Sequence, residues 1–487
     1  MTKKPSRPGK PNTKQPWVDA VEFVLTECVR FINMANDAVR DGTFSSLPGN
    51  EFPYELAGPD GRKYTYGREA QRRLKEAAES ALRASTSAET VSFDCYMKVL
   101  KPAIVDRFIT KRANVDLASV DSVFSTAINE AAKARGDSRH LIPCQLMFQA
   151  EPDSFAIGPV TFRNREIFKP LFEELVKENR AKETTTGTPT IADQVIEYFA
   201  NFTWVADVTV KGCDRQIGKE RATQAVSAAV DFMHVLFGHY HSRNMVVRGP
   251  GLDADIRAEL EVRDGATNLS YSIGSTSAMG FPEGWSSMLD ELGPRTLAKA
   301  AGRAIEAITD PSKTRPLALR FIDAASWQGQ AVRETSAAAS IVKSVTALER
   351  LVTVEKGSDT VRVVTERNAA LSYDSRSDER FSDLVRRMES IYDLRSRLVH
   401  GTLSPFDPEV RHRRYEVLAV GEKSLVNGLN LFDQDDLFDR PQSKRQLTEG
   451  LEYLVTWAKD ADARRWNIQT DQESVIRATT NTNNCEV

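Results

Sequence analysis

Apolar residues recur at three- and four-residue spacing from Trp17 through WVDAVEFVLTECVRFINMANDAV, which predicts an amphipathic helix ended by Asp41-Gly42. A stretch containing Gly58-Pro59 and Asp60-Gly61 follows, then a charged helix over about 68–85 and further helix over 99–134. The pattern changes in the middle of the chain. SFAIGPVTF at 154–162 and FTWVADVTV at 202–210 alternate apolar and polar positions, as half-buried strands do. A long apolar-faced helix is predicted over 217–238, TTTGTPT at 184–190 as a loop, and NMVVRG, IRAELEVRD and NLSYSIG as further strands. Beyond Leu317 helical spacing returns in TSAAASIVKSVTALERLVTV, DTVRVVTERNAALSY, DERFSDLVRRMESIYDLRSRLVH and KRQLTEGLEYLVTWAKDADARRW. The expected fold class is therefore multi-domain α+β and predominantly helical. Its parts are a disordered basic tail (1–16), a helical N-terminal region (17–150), a central α+β domain with an antiparallel sheet (151–315), an all-α helical bundle (316–468) and a frayed polar tail (469–487).

Composition narrows the classes of function. At 487 residues the chain is long enough for about three domains. A hydrophobic content of 41% with 27% charged residues supplies sizeable cores and excludes general disorder. Lys+Arg 65 against Asp+Glu 68 leaves a net charge of −3, which excludes a globally basic nucleic-acid coat but not local patches. No apolar run approaches the roughly 18–20 residues that span a bilayer, and the basic N-terminus has no apolar segment behind it. No membrane association is expected, and the location expected is cytoplasmic. Five scattered cysteines without a CxxC pair fit a reducing compartment better than a disulfide or zinc scaffold.

The segment 378–400 carries the chemistry. Phe381, Leu384, Met388, Ile391 and Leu398 form one seam at three- and four-residue steps, yet the position seven beyond Met388 is Arg395. A guanidinium in an apolar stripe costs several kcal/mol unless an acceptor or a cleft meets it. His400 follows five positions later, just before Gly401, a helix stop signal. Five positions turn an ideal helix by roughly 140°, so the two side chains share a site only if the helix ends there or a second copy contributes. Arg135 and His140 have the same spacing, but in a polar Gly-containing stretch without an apolar seam.

In this context IYDLRSRLVHG resembles the Arg-x4-6-His signature of HEPN domains, and Tyr392, Val399 and Gly401 resemble its Apea-like subgroup. SIVKSVTALERLVTV, with Glu349, resembles that subgroup's first helix, and TERNAALSY, with Arg367 and Asn368, its next segment. The resemblance covers about 320–465. It implies a HEPN-like bundle that forms a homodimer and cleaves RNA without a metal, in prokaryotic toxin–antitoxin and antiviral abortive-infection systems. No cofactor is implied. The residues expected at the site are His400 as acid/base and Arg395 as phosphate clamp, with Glu349, Tyr392 and Arg397 supporting and Arg411, Arg413 and Arg414 on the RNA backbone. The first two-thirds of the chain would sense a phage-derived trigger or hold the nuclease silent, unless an antitoxin does so. The alternative is a non-catalytic RNA-binding or dimerisation module, with Arg395–Glu349 a structural ion pair and His400 a helix-end residue.

Other constellations are weaker. His234, His239 and His241 lie within eight residues, but no Cys or carboxylate follows at ligand spacing, and Gly238 is expected to end their helix. GPGLD at 249–253 lacks the context of a phosphate loop, and SYSIGSTSAMG lacks a nucleophile elbow.

Overall fold

The computed structural model describes residues 15–42, 53–147, 151–180, 191–247, 254–263, 266–275, 284–313, 315–354, 359–434 and 444–482. The loop expected at 184–190, the segment at 249–253 and most of the basic tail lie outside them. The fold is mixed α+β and predominantly helical, in two compact units: residues 1–138 with 210–220, and residues 139–209 with 221–487. The second unit thus draws together most of the central segment and the whole C-terminal third. Among the described residues, no helix is long and apolar enough to cross a membrane.

In the first unit, α1 (Gln15–Arg40), α2 (Arg68–Arg83), α3 (Phe93–Ile104) and α4 (Leu117–Ala131) pack around one core. Trp17 of α1 stacks on Phe124 of α4 with ring centroids 5.6 Å apart, and Val21, Leu74 and Leu100 are fully buried beside them. Ser92 and Asp116 cap α3 and α4 by accepting from Cys95 N and Ser119 N, which satisfies donors that a helix start otherwise leaves free. The Gly/Pro-containing stretch holds a hairpin, β1 (Tyr54–Ala57) and β2 (Lys63–Tyr66), that periodicity did not reveal. Each strand is only four residues long, too short for alternation to register.

A five-stranded sheet, most of whose residues belong to the second unit, is built from β3 (Gly136–Gln145), β4 (Ser154–Ile157), β5 (Val160–Asn164), β6 (Trp204–Cys213) and β7 (Val246–Val247), in the order β4-β5-β6-β3-β7. Helices α5 (Arg165–Arg180) and α6 (Ile191–Ala200) connect β5 to β6. The sequence shows β4, β5 and β6 by their alternation. The polar first half of β3 hides it from periodicity; Arg135 precedes the strand in extended backbone and His140 lies within it. The span Arg215–Ser242, α7, is two helical pieces. Gly238 ends the first as expected, at φ +76° and outside the helical region, and a short second piece carries His239 and His241. A separate antiparallel hairpin, β8 (Ala254–Arg263) with β9 (Ala266–Ser275), follows.

The remaining elements are helical: α8 (Ser287–Asp290), α9 (Leu292–Thr309), α10 (Pro316–Arg333), α11 (Ala337–Val352), α12 (Thr360–Ser372), α13 (Phe381–Val399), α14 (Pro408–Gln434) and α15 (Lys444–Thr482). The last runs twelve residues or so past the point where a frayed tail was expected, since extending a formed helix costs far less than nucleating one. Buried polar groups tie these helices together. Gln328 Nε2 donates to the Leu418 carbonyl at 3.0 Å and its oxygen accepts from Ser344 Oγ at 2.8 Å, joining α10, α11 and α14. Arg367, 6% exposed, donates to the Val352 carbonyl at 2.8 Å, and buried Asn368 to Val364 at 2.8 Å.

Candidate functional site

Helix α13 positions the two residues singled out by the sequence, and it is held at both ends. At its start Phe381 N donates to Asp462 Oδ1 of α15 at 3.0 Å, because Arg380 offers no capping oxygen. At its end Gly401 takes φ +72°. Gly401 N donates to the Leu398 carbonyl at 3.3 Å, and Thr402 N reaches the Arg397 carbonyl at 2.9 Å. This is the Schellman closure that favours glycine, and it makes His400 the C-cap.

The seam differs from the expected one. Phe381, Leu384, Met388, Ile391 and Leu394 are buried, and Arg395 is not in their row. The helix changes neighbours along its length. Phe381, Leu384 and Met388 join a cluster with residues of α12 and α15, whereas Ile391 and Leu394 join Ile341 and Val345 of α11 and Val410 and Val417 of α14. The covered side therefore rotates around the axis. Leu394 takes the core position and Arg395 is left half-buried at its edge, with 24% of its side chain exposed.

Arg395 nevertheless meets acceptors. Its Nη2 lies 3.5 Å from Glu349 Oε2 on α11, and its guanidinium carbon is 5.8 Å from the centroid of the Tyr392 ring one turn earlier. Among the described residues its buried Nε has no hydrogen-bond partner. Burial, and then a hydrogen bond and charge repulsion from Glu349, hold the Tyr392 phenol above its ordinary pKa. Glu349, Tyr392 and Arg395 thus form one cluster around a cation with donor capacity to spare. Such a guanidinium suits a phosphate oxygen, which accepts a charge-assisted hydrogen bond.

Among the described residues, His400 makes no hydrogen bond or ion pair with this cluster. It is exposed, and among the described residues its ring has neither a hydrogen-bond nor an ion-pair partner. Val399 beside it is 52% exposed and Phe406 in the following loop 86%. Arg397, expected to support the site, is clamped between Asp393 Oδ2 and Glu409 Oε1, each at 2.9 Å, and Glu409 holds its pKa above the usual value. The basic run after the motif was expected on the RNA backbone. It occupies the first turns of α14. There Arg413 binds Glu416 at 2.6 Å and Ser390 at 3.2 Å, and Arg414 donates to the Glu334 carbonyl at 2.5 Å. Arg411 is exposed. Asp393 and Glu416 stand at helical i,i+4 and i,i+3 spacing from Arg397 and Arg413, whereas Glu409, Ser390 and Glu334 are brought in by packing.

The histidine triad separates into unlike environments. His234 is fully buried with Nδ1 2.9 Å from Ser242 Oγ, and burial pushes its pKa well down. His239 Nδ1 lies 3.0 Å from Glu422. Among the described residues, no group of three His, Cys, Asp or Glu is arranged to hold a metal ion. Cys28, Cys144 and Cys213 are buried free thiols, and burial drives Cys28 up to about 12, away from nucleophilic use.

No family model matches the chain, and no curated protein or solved structure does either.

Proposed function

We propose that the protein is a metal-independent endoribonuclease of the HEPN type, its helices α10–α15 forming a HEPN-like bundle, and that it acts in antiviral abortive infection under control of its N-terminal regions. The observation that carries this function is the Arg395 guanidinium: half-buried, braced by Glu349 and Tyr392, and, among the described residues, keeping an unpaired Nε–H. Cleavage by attack of a ribose 2′-OH on the adjacent phosphorus needs positive charge facing the developing phosphorane, which Arg395 would supply, and a group that exchanges protons, which His400 would supply. Among the described residues His400 makes no hydrogen bond or ion pair with the Arg395 cluster, and it stands at a helix end flanked by exposed Val399 and Phe406. A homodimer that brings this end against its mate would complete two composite sites in a cytoplasmic enzyme.

The test is RNA cleavage and host toxicity with Arg395→Ala and His400→Ala. Each is expected to lower cleavage by about 10²–10⁴-fold, the range for losing an acid/base group or a transition-state charge partner. Arg395→Lys should recover only part of the loss, because an ammonium lacks the planar fork. Mixing the two alanine variants should restore some activity through hybrid dimers. Full cleavage and toxicity in both folded alanine variants would remove the site.

A further inference from the structure

The second unit holds a groove of about 730 Å³ between the β4–β5 hairpin and helix α9, far along the chain from Arg395 and His400. Its volume falls within the range of small-ligand sites, roughly 300–1,000 Å³. One wall is a basic row, Arg295, Lys299 and Arg303, spaced four residues apart so that all three share one face of α9. Arg303 is committed to Asp433 of α14. Arg295 and Lys299 are exposed, and among the described residues neither side chain has an ion-pair or hydrogen-bond partner. Four residues advance a helix by about 6 Å, so two flexible cations at that interval can converge on adjacent phosphates.

The floor differs in character. Phe155 and Leu289 line it, and behind the surface Phe155 packs against Phe162, Trp204 and Trp285 with centroids 4.9–5.4 Å away. The groove is preformed, because the hairpin turn is pressed on α9 at Gly158 and Gly302, where a Cβ on either would come within 2.3–2.6 Å of the other's backbone. The hydroxyls of Ser154 and Ser286 add polar contacts. Carboxylates bound the basic row at both ends, Asp290 before it and Glu306 after it. A long strand tracking α9 would run onto them, whereas a short anion would not.

We propose that this groove binds a nucleoside di- or triphosphate, with Arg295 and Lys299 on the phosphates and the apolar floor beneath the base. The site stands independently of the nuclease function. Calorimetric titration of the full chain with ATP, GTP, inorganic tripolyphosphate and a short single-stranded RNA tests it. At least one of the two nucleotides should bind one per chain, more tightly than tripolyphosphate. The double variant Arg295→Glu/Lys299→Glu should weaken that binding tenfold or more with an unchanged thermal midpoint. Ala156→Trp, which fills the groove without touching its charge, should do the same. Arg395→Ala should bind as the wild type does. The proposal is overturned by absent nucleotide binding at millimolar concentration, by equal affinity for tripolyphosphate, by binding of RNA alone, or by wild-type affinity in either groove variant.

Discussion

Asp231 shows how one buried residue can set the pH response of this fold. It is 2% exposed on α7, 2.8 Å from Arg333 of α10, and Gly329 packs so closely that a Cβ there would fall 2.1 Å from its carboxyl oxygen. Burial, only partly offset by Arg333, raises its pKa from 3.8 to about 6. The folded state therefore holds this proton more tightly than the unfolded chain. Its stabilising contribution is complete below about pH 4 and is lost as pH rises through 6, by on the order of 3 kcal/mol at 1.36 kcal/mol per unit. Asp231→Asn cannot titrate, so its urea midpoint relative to wild type should move in the variant's favour between pH 4 and 7. His234, with the opposite sign, is present in both proteins and largely cancels. A difference that stays flat with pH would show that the carboxyl is unperturbed. None of this was legible beforehand, since an Asp inside an apolar run gives no hint of which cation will face it.

At the scale of elements, the sequence shows which segments are helical but not which side of each is covered. Phe381 to Ile391 follow the predicted seam. Leu394 replaces Arg395 beneath the next pair of helices because α13 passes from one set of neighbours to another. Arg395 and His400 could be named from their spacing and Gly401. The family resemblance had already set Glu349 beside Arg395, and the two lie 3.5 Å apart. That Glu409 would occupy Arg397 depended on how α14 folds back against α13. The contact of α9 with the β4–β5 turn is a sharper case. Gly302→Ala would set a Cβ 2.6 Å from Gly158 Cα and 2.8 Å from its nitrogen, both backbone atoms that cannot swing aside. It should cost about 1–3 kcal/mol, as overpacking does, and lower the urea midpoint accordingly. An unchanged midpoint would mean that the hairpin and helix are free to separate.

For the whole molecule, the organisation along the sequence and the organisation in space differ. Residues 316–468 read as a self-contained helical segment, yet their polar groups are satisfied from outside it. Arg333 reaches Asp231, Glu422 accepts from His239 N at 2.8 Å, and Asp433 meets Arg303. Expressed alone, this segment would lose those partners and expose the α10 face around Gly329. It should unfold without a sharp cooperative transition, or at a urea midpoint well below that of the full chain. A midpoint equal to that of the full chain would establish it as an autonomous domain.

Local periodicity and stop signals by themselves determined the helical character of both ends of the chain, the alternating strands at its centre, the end of α13 at His400 and the oddity of Arg395 within an apolar stripe. These are properties of neighbouring residues, and the backbone reports them directly. The tertiary structure alone decided that Leu394 takes the core, that Arg395 is left half-buried beside Tyr392, and that a basic face of α9 shares a groove with Phe155. Those outcomes depend on which distant surfaces meet, and on the cost of leaving charge without a partner once water is excluded.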